Sequence, residues 1–372
     1  MSTEQRKRAS DLGITIGRLE RGPLNAITDV PGVKVGQETI ISGDGPLVVG
    51  EGPVRTGVTV VWPHSDGPIA DDPVYGGYHQ LNGNGEMTGI AWLQESGLVT
   101  TPIAITNTAS VGVVRDALIA YDRDRFTYTR EPDFHLPLVG ETYDGWLSDI
   151  NGFHVTKEHL YAAADAAKGG PVAEGCVGGG TGMNCHEFKG GIGTASRVLP
   201  ESSGGWITGA LVQANYGARH SLRIDGVPVG REIGYDVVPS QRSAPVKDGS
   251  IIVVLATNAP LLPDQCRRIA QRATIGVAHV GGYGNNSSGD LFIAFSTANR
   301  GMVDGEPTQP FTVQSLPPEG LTPLFEAAAD AVEEAIINAM CMATTTVGRD
   351  GHTSHALPLD LLQDVMRKYN RL

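Results

Sequence analysis

The feature that most constrains the fold is the run SIIVVLAT, residues 250–257, which follows the pair Asp248-Gly249. Its residues are apolar and mostly β-branched, and such a run is typical of a buried β-strand. The sequence therefore predicts that Ser250 lies at the start of a rigid, buried element. A side chain held at that point is well placed to act as a nucleophile.

The bond between Gly249 and Ser250 is itself a candidate for self-cleavage. Glycine has no Cβ, so Gly249 can adopt a strained backbone conformation and leaves its carbonyl open to attack. Attack by the Ser250 hydroxyl would convert the amide to an ester, and water would then release a chain beginning with Ser250. Its new α-amine, with a reference pKa of about 7.7–8.0, could activate the hydroxyl of the same residue. Local sequence leaves a second interpretation open, because Gly-Ser before an apolar strand is common and Ser250 is then an ordinary first residue.

Composition and charge exclude several classes of function. The net charge of −13 and the pI near 5.2 argue against nucleic acid and anionic membranes as partners. The four cysteines form no CxxC pair and have no His-rich neighbours, so we expect neither a disulfide framework nor a metal site, and no cofactor. The glycine-rich stretch at residues 81–89 has the spacing of neither common phosphate loop. No apolar stretch resembles a signal peptide or a membrane span, and we expect a cytoplasmic protein.

The order of predicted elements indicates the α+β class. Apolar strands alternate with helices in pieces too short for a βαβ series, which favours a layered sandwich over a doubly wound parallel sheet. Residues 1–20 are predicted to form a mobile arm. Residues 218–249 have mixed polar composition and predict an exposed connector, a suitable place for a cleavable junction.

Three further stretches carry candidate site residues. Glu141, in PLVGETYDGWL, lies either in a surface loop with a helix cap or where it binds a cation such as a peptide α-ammonium. Asn215 ends the predicted strand WITGALVQAN, and its amide either donates to an oxyanion or forms a turn. The segment NNSSGD, residues 285–290, places two hydroxyls and a carboxylate at the start of another strand, as Ser250 is placed.

Several motifs, in order along the chain, resemble the L-aminopeptidase D-amidase/D-esterase and β-peptidyl aminopeptidase family. They are PLNAITDVPGVKVG, LNGNGEMTG, PLVGETYDGWLSDI, GGGTGMNCHEFKGGIGTASR, LVQANYG, DGSIIVVLATNAPLLPDQCRRIA and NSSGDLFIAFSTAN. The resemblance implies a four-layer α/β/β/α sandwich like that of N-terminal-nucleophile hydrolases, with the connectivity of ornithine acetyltransferases. It implies one domain, residues 1–372, cleaved into an α chain (1–249) and a β chain (250–372). The two chains stay together, and several αβ units are expected to assemble into a homo-oligomer.

The same resemblance assigns roles to residues at the matching positions. Ser250 matches the nucleophile, and its α-amine is a candidate base. Asn215 matches the oxyanion-hole residue. Glu141 matches the acid that receives the amino group of the substrate, and Tyr143 matches a residue placed near the substrate.

Ser288 and Asp290 match a pair beside the nucleophile that orients Ser250 or relays its proton. Some relatives carry Glu where this chain has Asp290, and Asp reaches about one methylene less far. Of the roles that the resemblance implies, direct contact of Asp290 with the Ser250 amine is therefore the one that the change from Glu to Asp weakens most.

The predicted function is a self-processing serine aminopeptidase that acts through an acyl-enzyme on Ser250. Its expected substrates are short peptides, amino-acid amides and esters, with D-alanyl amides or esters and β-peptides as further candidates. One alternative is an acyltransferase of the ornithine acetyltransferase type, although that family normally uses Thr as the nucleophile. The other is an uncleaved, non-enzymatic binding protein on the same scaffold.

Overall fold

The computed structural model describes residues 5–64, 67–128, 134–240, 248–302 and 308–372, with only the backbone of Asp248. The strands are β1 Lys34–Ser42, β2 Val54–Trp62, β3 Val74–Gly83, β4 Leu98–Val99, β5 Ile103–Asn107, β6 Leu138–Thr142, β7 Asn184–Cys185, β8 Phe188–Lys189, β9 Gly191–Val198, β10 Ile207–Asn215, β11 Asp248–Thr257, β12 Ser287–Ser296, β13 Thr346–Val347 and β14 Thr353–Ser354. The helices are α1 Ile90–Ser96, α2 Val111–Arg125, α3 Lys157–Asp165, α4 Val229–Glu232, α5 Pro263–His279, α6 Thr322–Cys341 and α7 Leu359–Lys368.

Two sheets form the centre of the molecule. The larger has the strand order β4-β3-β12-β11-β10-β9, and the smaller has the order β1-β2-β5-β6. In the larger sheet β11 runs parallel to β12 and antiparallel to β10. The strand predicted from SIIVVLAT is thus an interior strand with neighbours on both sides, which explains why nearly every residue in it is apolar.

Apolar side chains fill three layers around the sheets. Along β11, Ile251 and Val253 pack on α5 and α6, whereas Ile252 and Val254 pack between the two sheets. Helices α2 and α3 cover the outer face of the smaller sheet. The predicted α+β class and its four-layer α/β/β/α arrangement are therefore confirmed.

The N-terminal segment differs from the predicted mobile arm. Within residues 5–20, Ala9, Leu12, Ile14 and Ile16 are all buried. The Arg8 guanidinium also donates hydrogen bonds to main-chain carbonyls, including that of Thr194 at 2.6 Å. The apolar residues are too few and too irregularly spaced to be recognised from the sequence, and their partners lie far along the chain.

The predicted exposed connector is also partly wrong. Residues 218–240 pack onto the core, with Val229 and Ile233 buried and the buried Arg219 guanidinium donating to the Val238 carbonyl at 3.0 Å. The rest of the predicted junction, residues 241–247, lies outside the described residues. Across the described ranges, each helix is too short or too polar to span a bilayer.

Candidate active site

Strand pairing brings three sequence-distant segments together at Ser250. Ser250 is the register partner of Asn215 at the end of β10 and of Gly289 near the start of β12. Its side chain is 6 % exposed, and its hydroxyl oxygen accepts a hydrogen bond from the Gly289 N–H at 3.3 Å. The alternation of side chains along β11 places Ser250 on the same face as Ile252, towards the second sheet.

A cavity of about 400 Å³ opens beside the Ser250 hydroxyl. It is lined by Asn84, Gly85, Glu86, Thr108, Glu141, Tyr143, Gly249, Ser250 and Ser287. Four residues singled out in the sequence therefore line one cavity: Gly249, Ser250, Glu141 and Tyr143. The space suits a small ligand that can reach both a hydroxyl and a carboxylate.

Glu141 is held rigidly at the end of β6. Its Oε1 accepts a hydrogen bond from the Glu86 N–H at 2.9 Å, and its Oε2 accepts one from the Thr108 hydroxyl. Burial raises the pKa of Glu141, while these two bonds favour the ionised form and act in the opposite direction. No Lys, Arg or His is among the described residues that line the cavity. The Glu141 carboxylate is therefore suited to bind a positively charged group.

The Asn215 amide links two loops beside Ser250. Its Oδ1 accepts a hydrogen bond from the Asn184 N–H at 2.8 Å, and its Nδ2 donates to the Tyr143 carbonyl at 3.0 Å. An amide nitrogen carries two N–H groups, so one remains for an acceptor near Ser250. The Tyr143 side chain is 47 % exposed and lies on the cavity wall.

Ser288 and Asp290 lie on the other side of the peptide that joins Gly249 to Ser250. The Ser288 hydroxyl donates to Asp290 Oδ1 at 2.6 Å, and burial raises the pKa of Asp290 to about 6. Both residues line a second cavity of about 230 Å³, together with Tyr216. Gly249 lines both cavities.

The predicted pair is therefore close to the main chain of Ser250 but does not bond to its side chain. Within the described residues no hydrogen bond joins the side chain of Ser250 to the side chain of Ser288 or Asp290. Their side chains line the cavity that Gly249 also lines. They are not placed to take a proton directly from the Ser250 hydroxyl.

Sequence reasoning missed Thr108 and Glu86, which hold Glu141. Thr108 follows β5 directly, and β5 pairs in parallel with β6, which carries Glu141. The carboxyl ends of two parallel neighbouring strands lie at the same edge of the sheet. A polar residue directly after β5 could therefore have indicated a partner for Glu141 at the end of β6. Glu86 lies in the glycine-rich stretch at residues 81–89, and the main-chain N–H with which it holds Glu141 leaves no signature in the sequence. The described ranges hold no group of three His, Cys, Asp or Glu residues arranged for a metal ion.

Comparison with known proteins gives consistent matches over nearly the whole chain. The model of peptidase family S58 matches residues 25–354. The β-peptidyl aminopeptidase BapA of Sphingosinicella microcystinivorans is 48 % identical, covering 98 % of this chain and 93 % of that protein. BapA of Sphingosinicella xenopeptidilytica is 41 % identical, covering 97 % and 91 %.

Solved structures of similar proteins show the same architecture. A β-aminopeptidase from Burkholderia sp. matches with a TM-score of 0.88 at 49 % identity, covering 97 % of this chain and 99 % of that one. The L-aminopeptidase D-Ala-esterase/amidase of Ochrobactrum anthropi matches with a TM-score of 0.88 at 45 % identity, covering 98 % and 99 %. That protein is described as a prototype of the serine aminopeptidases and as a new variant of the Ntn-hydrolase fold.

Proposed function

Because this chain belongs to peptidase family S58, and is a hydrolase of the aminopeptidase type, we propose that Ser250 is its nucleophile. In this proposal the 400 Å³ cavity takes the N-terminal residue of a short peptide, amide or ester. The observation that carries the proposal is that the Ser250 hydroxyl and the buried Glu141 carboxylate line the same cavity. An enzyme that requires a free amino group next to the scissile carbonyl needs a nucleophile and an anionic group within one cavity.

Turnover follows from the contacts of each group. Glu141 binds the substrate ammonium, which places the adjacent carbonyl at the Ser250 hydroxyl. The Ser250 oxygen bonds to the carbonyl carbon and its proton passes to the α-amine of Ser250. The free N–H of Asn215 stabilises the oxyanion, a contribution of about 2.7–4 kcal/mol for one donor. The proton then moves to the leaving amine or alcohol, and water hydrolyses the acyl-enzyme.

Maturation uses the same nucleophile on its own chain. The Ser250 hydroxyl attacks the Gly249 carbonyl, the C–N bond breaks as an ester forms, and water releases residues 1–249 as the α chain. The α-amine produced at Ser250 takes the place of the peptide nitrogen, beside the cavity that Ser288 and Asp290 line. We propose that this pair orients the amine, which agrees with its position away from the hydroxyl.

The alternatives raised by the sequence receive no support. The relatives and solved structures named above are aminopeptidases, which favours neither an acetyltransferase nor a binding protein. The BapA relatives support β-peptides as further substrates. The O. anthropi neighbour supports D-alanyl amides and esters in the same way. Assembly of several αβ units and a cytoplasmic location remain proposals from the sequence.

The deciding experiment is the intact mass of purified protein under denaturing conditions, with N-terminal sequencing. We expect two chains, the smaller beginning Ser-Ile-Ile-Val, in place of one 39.2 kDa species. Ser250→Ala should stay whole and should not hydrolyse alanine p-nitroanilide. The control Ser202→Ala makes the same change at an exposed residue that precedes the first residue of β10, Ile207. This variant should be cleaved normally. Cleavage of Ser250→Ala at this bond would refute the mechanism.

A further inference from the structure

The cavity carries a second carboxylate that the proposed mechanism does not use. Glu86 lines the cavity with Glu141, but its side chain is exposed at the rim whereas that of Glu141 is buried. In the described part of the chain, no ion pair or side-chain hydrogen bond engages the Glu86 carboxylate. The two acids are the charged members of the described lining, so the cavity presents an uncompensated negative field.

The loop that carries Glu86 is anchored on both sides of it. Before it, the Asn84 side-chain amide donates to the Ser287 carbonyl at 2.7 Å. After it, the Thr88 N–H donates to the Val139 carbonyl at 3.0 Å. The backbone of Glu86 is therefore held at the edge of the cavity, because moving it away would break these hydrogen bonds.

The main chain of Glu86 also fixes its position relative to Glu141. Its N–H donates to Glu141 Oε1 at 2.9 Å, so both acids belong to one hydrogen-bonded unit. Burial is the main cause of the raised pKa of Glu141, and the nearby charge of Glu86 acts in the same direction. When a substrate ammonium neutralises Glu141, the Glu86 carboxylate remains as an unpaired negative charge between Glu141 and solvent. A lysine or arginine stem is long and flexible enough to carry a second cation in that direction.

We propose that Glu86 is a specificity-determining residue that selects substrates whose N-terminal residue has a basic side chain. The amino group of such a substrate binds Glu141, and its side-chain cation binds Glu86. This inference rests on the proposed function, because it requires the substrate amine to be held at Glu141. It adds a substrate class, the dicationic N-terminal residue, to that function.

The test compares kcat/KM for lysyl and norleucyl p-nitroanilides, whose side chains differ in the terminal ammonium. We expect the wild-type enzyme to prefer the lysyl substrate by about 1.4- to 5-fold, the range for exposed ion pairs. Glu86→Gln should bring that ratio close to one while retaining the N–H that binds Glu141. Glu95→Gln removes the same charge from an exposed position on α1 outside this cavity, and should leave the ratio at its wild-type value.

A second measurement keeps the test decisive if Glu86→Gln folds poorly. The wild-type preference should shrink as NaCl rises from about 0.02 to about 0.5 M, because exposed charges are screened over that range. This inference would be overturned by an equal lysyl-to-norleucyl ratio of kcat/KM in all three proteins, or by a wild-type preference that salt does not change. In either case, normal cleavage of alanine p-nitroanilide would leave the proposed function intact. If processed wild-type protein cleaved none of these substrates, the proposed function itself would fail.

Discussion

Replacing Glu141 with glutamine removes a buried charge from the cavity while keeping its shape. The glutamine carbonyl can still accept from the Glu86 N–H, and its NH2 can donate to the Thr108 hydroxyl, which is free to rotate. We therefore expect the variant to fold normally. What changes is that a substrate ammonium entering the cavity meets a neutral amide.

The size of the effect follows from the burial of Glu141. The residue is 3 % exposed, so water screens the interaction of its carboxylate with an ammonium only weakly. A hydrogen bond to a charged partner contributes about 1.5–3 kcal/mol, which converts to a loss of about 10- to 150-fold in kcat/KM. Burial also raises the pKa of Glu141 above 4.5, so wild-type activity should fall as pH drops through that raised value. The glutamine variant should lack this acidic limb.

Two controls separate the lost charge from general damage. p-Nitrophenyl propionate has no amino group, and its hydrolysis should change little in Glu141→Gln. Self-processing should also proceed at the wild-type rate, since the segment that ends at Gly249 presents no free amine at the scissile residue. Equal losses with alanine p-nitroanilide and the propionyl ester, or a loss below about three-fold with the former, would refute the assigned role of Glu141.

Two further changes give independent tests. Asn215→Ala should lower kcat for alanine p-nitroanilide by about 10²–10³-fold, and should cost about 1–3 kcal/mol of unfolding free energy by freeing the Tyr143 carbonyl and the Asn184 N–H. An unchanged kcat would exclude Asn215 from the oxyanion site. Asp144 lies two residues after the end of β6 and is fully buried. Burial raises the pKa of Asp144 from 3.8 to about 7, so its contribution to stability is full below 3.8 and is lost as pH rises through about 7. In urea unfolding at pH 8, the free energy of unfolding of Asp144→Asn should exceed that of wild type by up to about 4 kcal/mol. This difference should disappear towards pH 4. Parallel pH profiles for the two proteins would contradict the prediction.

Local patterns were enough to predict the strands on which the site is built. The apolar runs after Ser250 and before Asn215 identify β11 and β10 without help from the rest of the chain. The register that pairs Ser250 with Asn215 and Gly289 is a long-range property, and only the resemblance to a family pointed to it. Because β11 and β12 are apolar on both faces, their sequences do not show which face meets the second sheet. The separation of Asp290 from the Ser250 hydroxyl therefore became visible only in the structure.

The packing of the N-terminal segment was beyond sequence reasoning for a related cause. The Arg6 side chain donates to the Cys341 carbonyl at 2.8 Å, across 335 positions of the chain. A main-chain carbonyl leaves no signature in the sequence, so an arginine that binds one resembles a solvent-exposed charge. The same applies to Arg219, whose buried guanidinium fixes residues 218–240 through carbonyl groups.

The position of β11 and β12 in the larger sheet decides what a cut after Gly249 would leave behind. Apart from Asp248 and Gly249 at the start of β11, these two strands come from residues 250–372, but β10 on one side and β3 on the other come from residues 1–249. Each product would hold only part of one hydrogen-bonded ladder, and neither could complete it alone. The uncut chain can regain its sheet by itself after unfolding, whereas the two products must first find each other, and their recovery would fall on dilution. Maturation would thus turn a chain that can refold alone into an assembly whose recovery after unfolding depends on the concentration of both products.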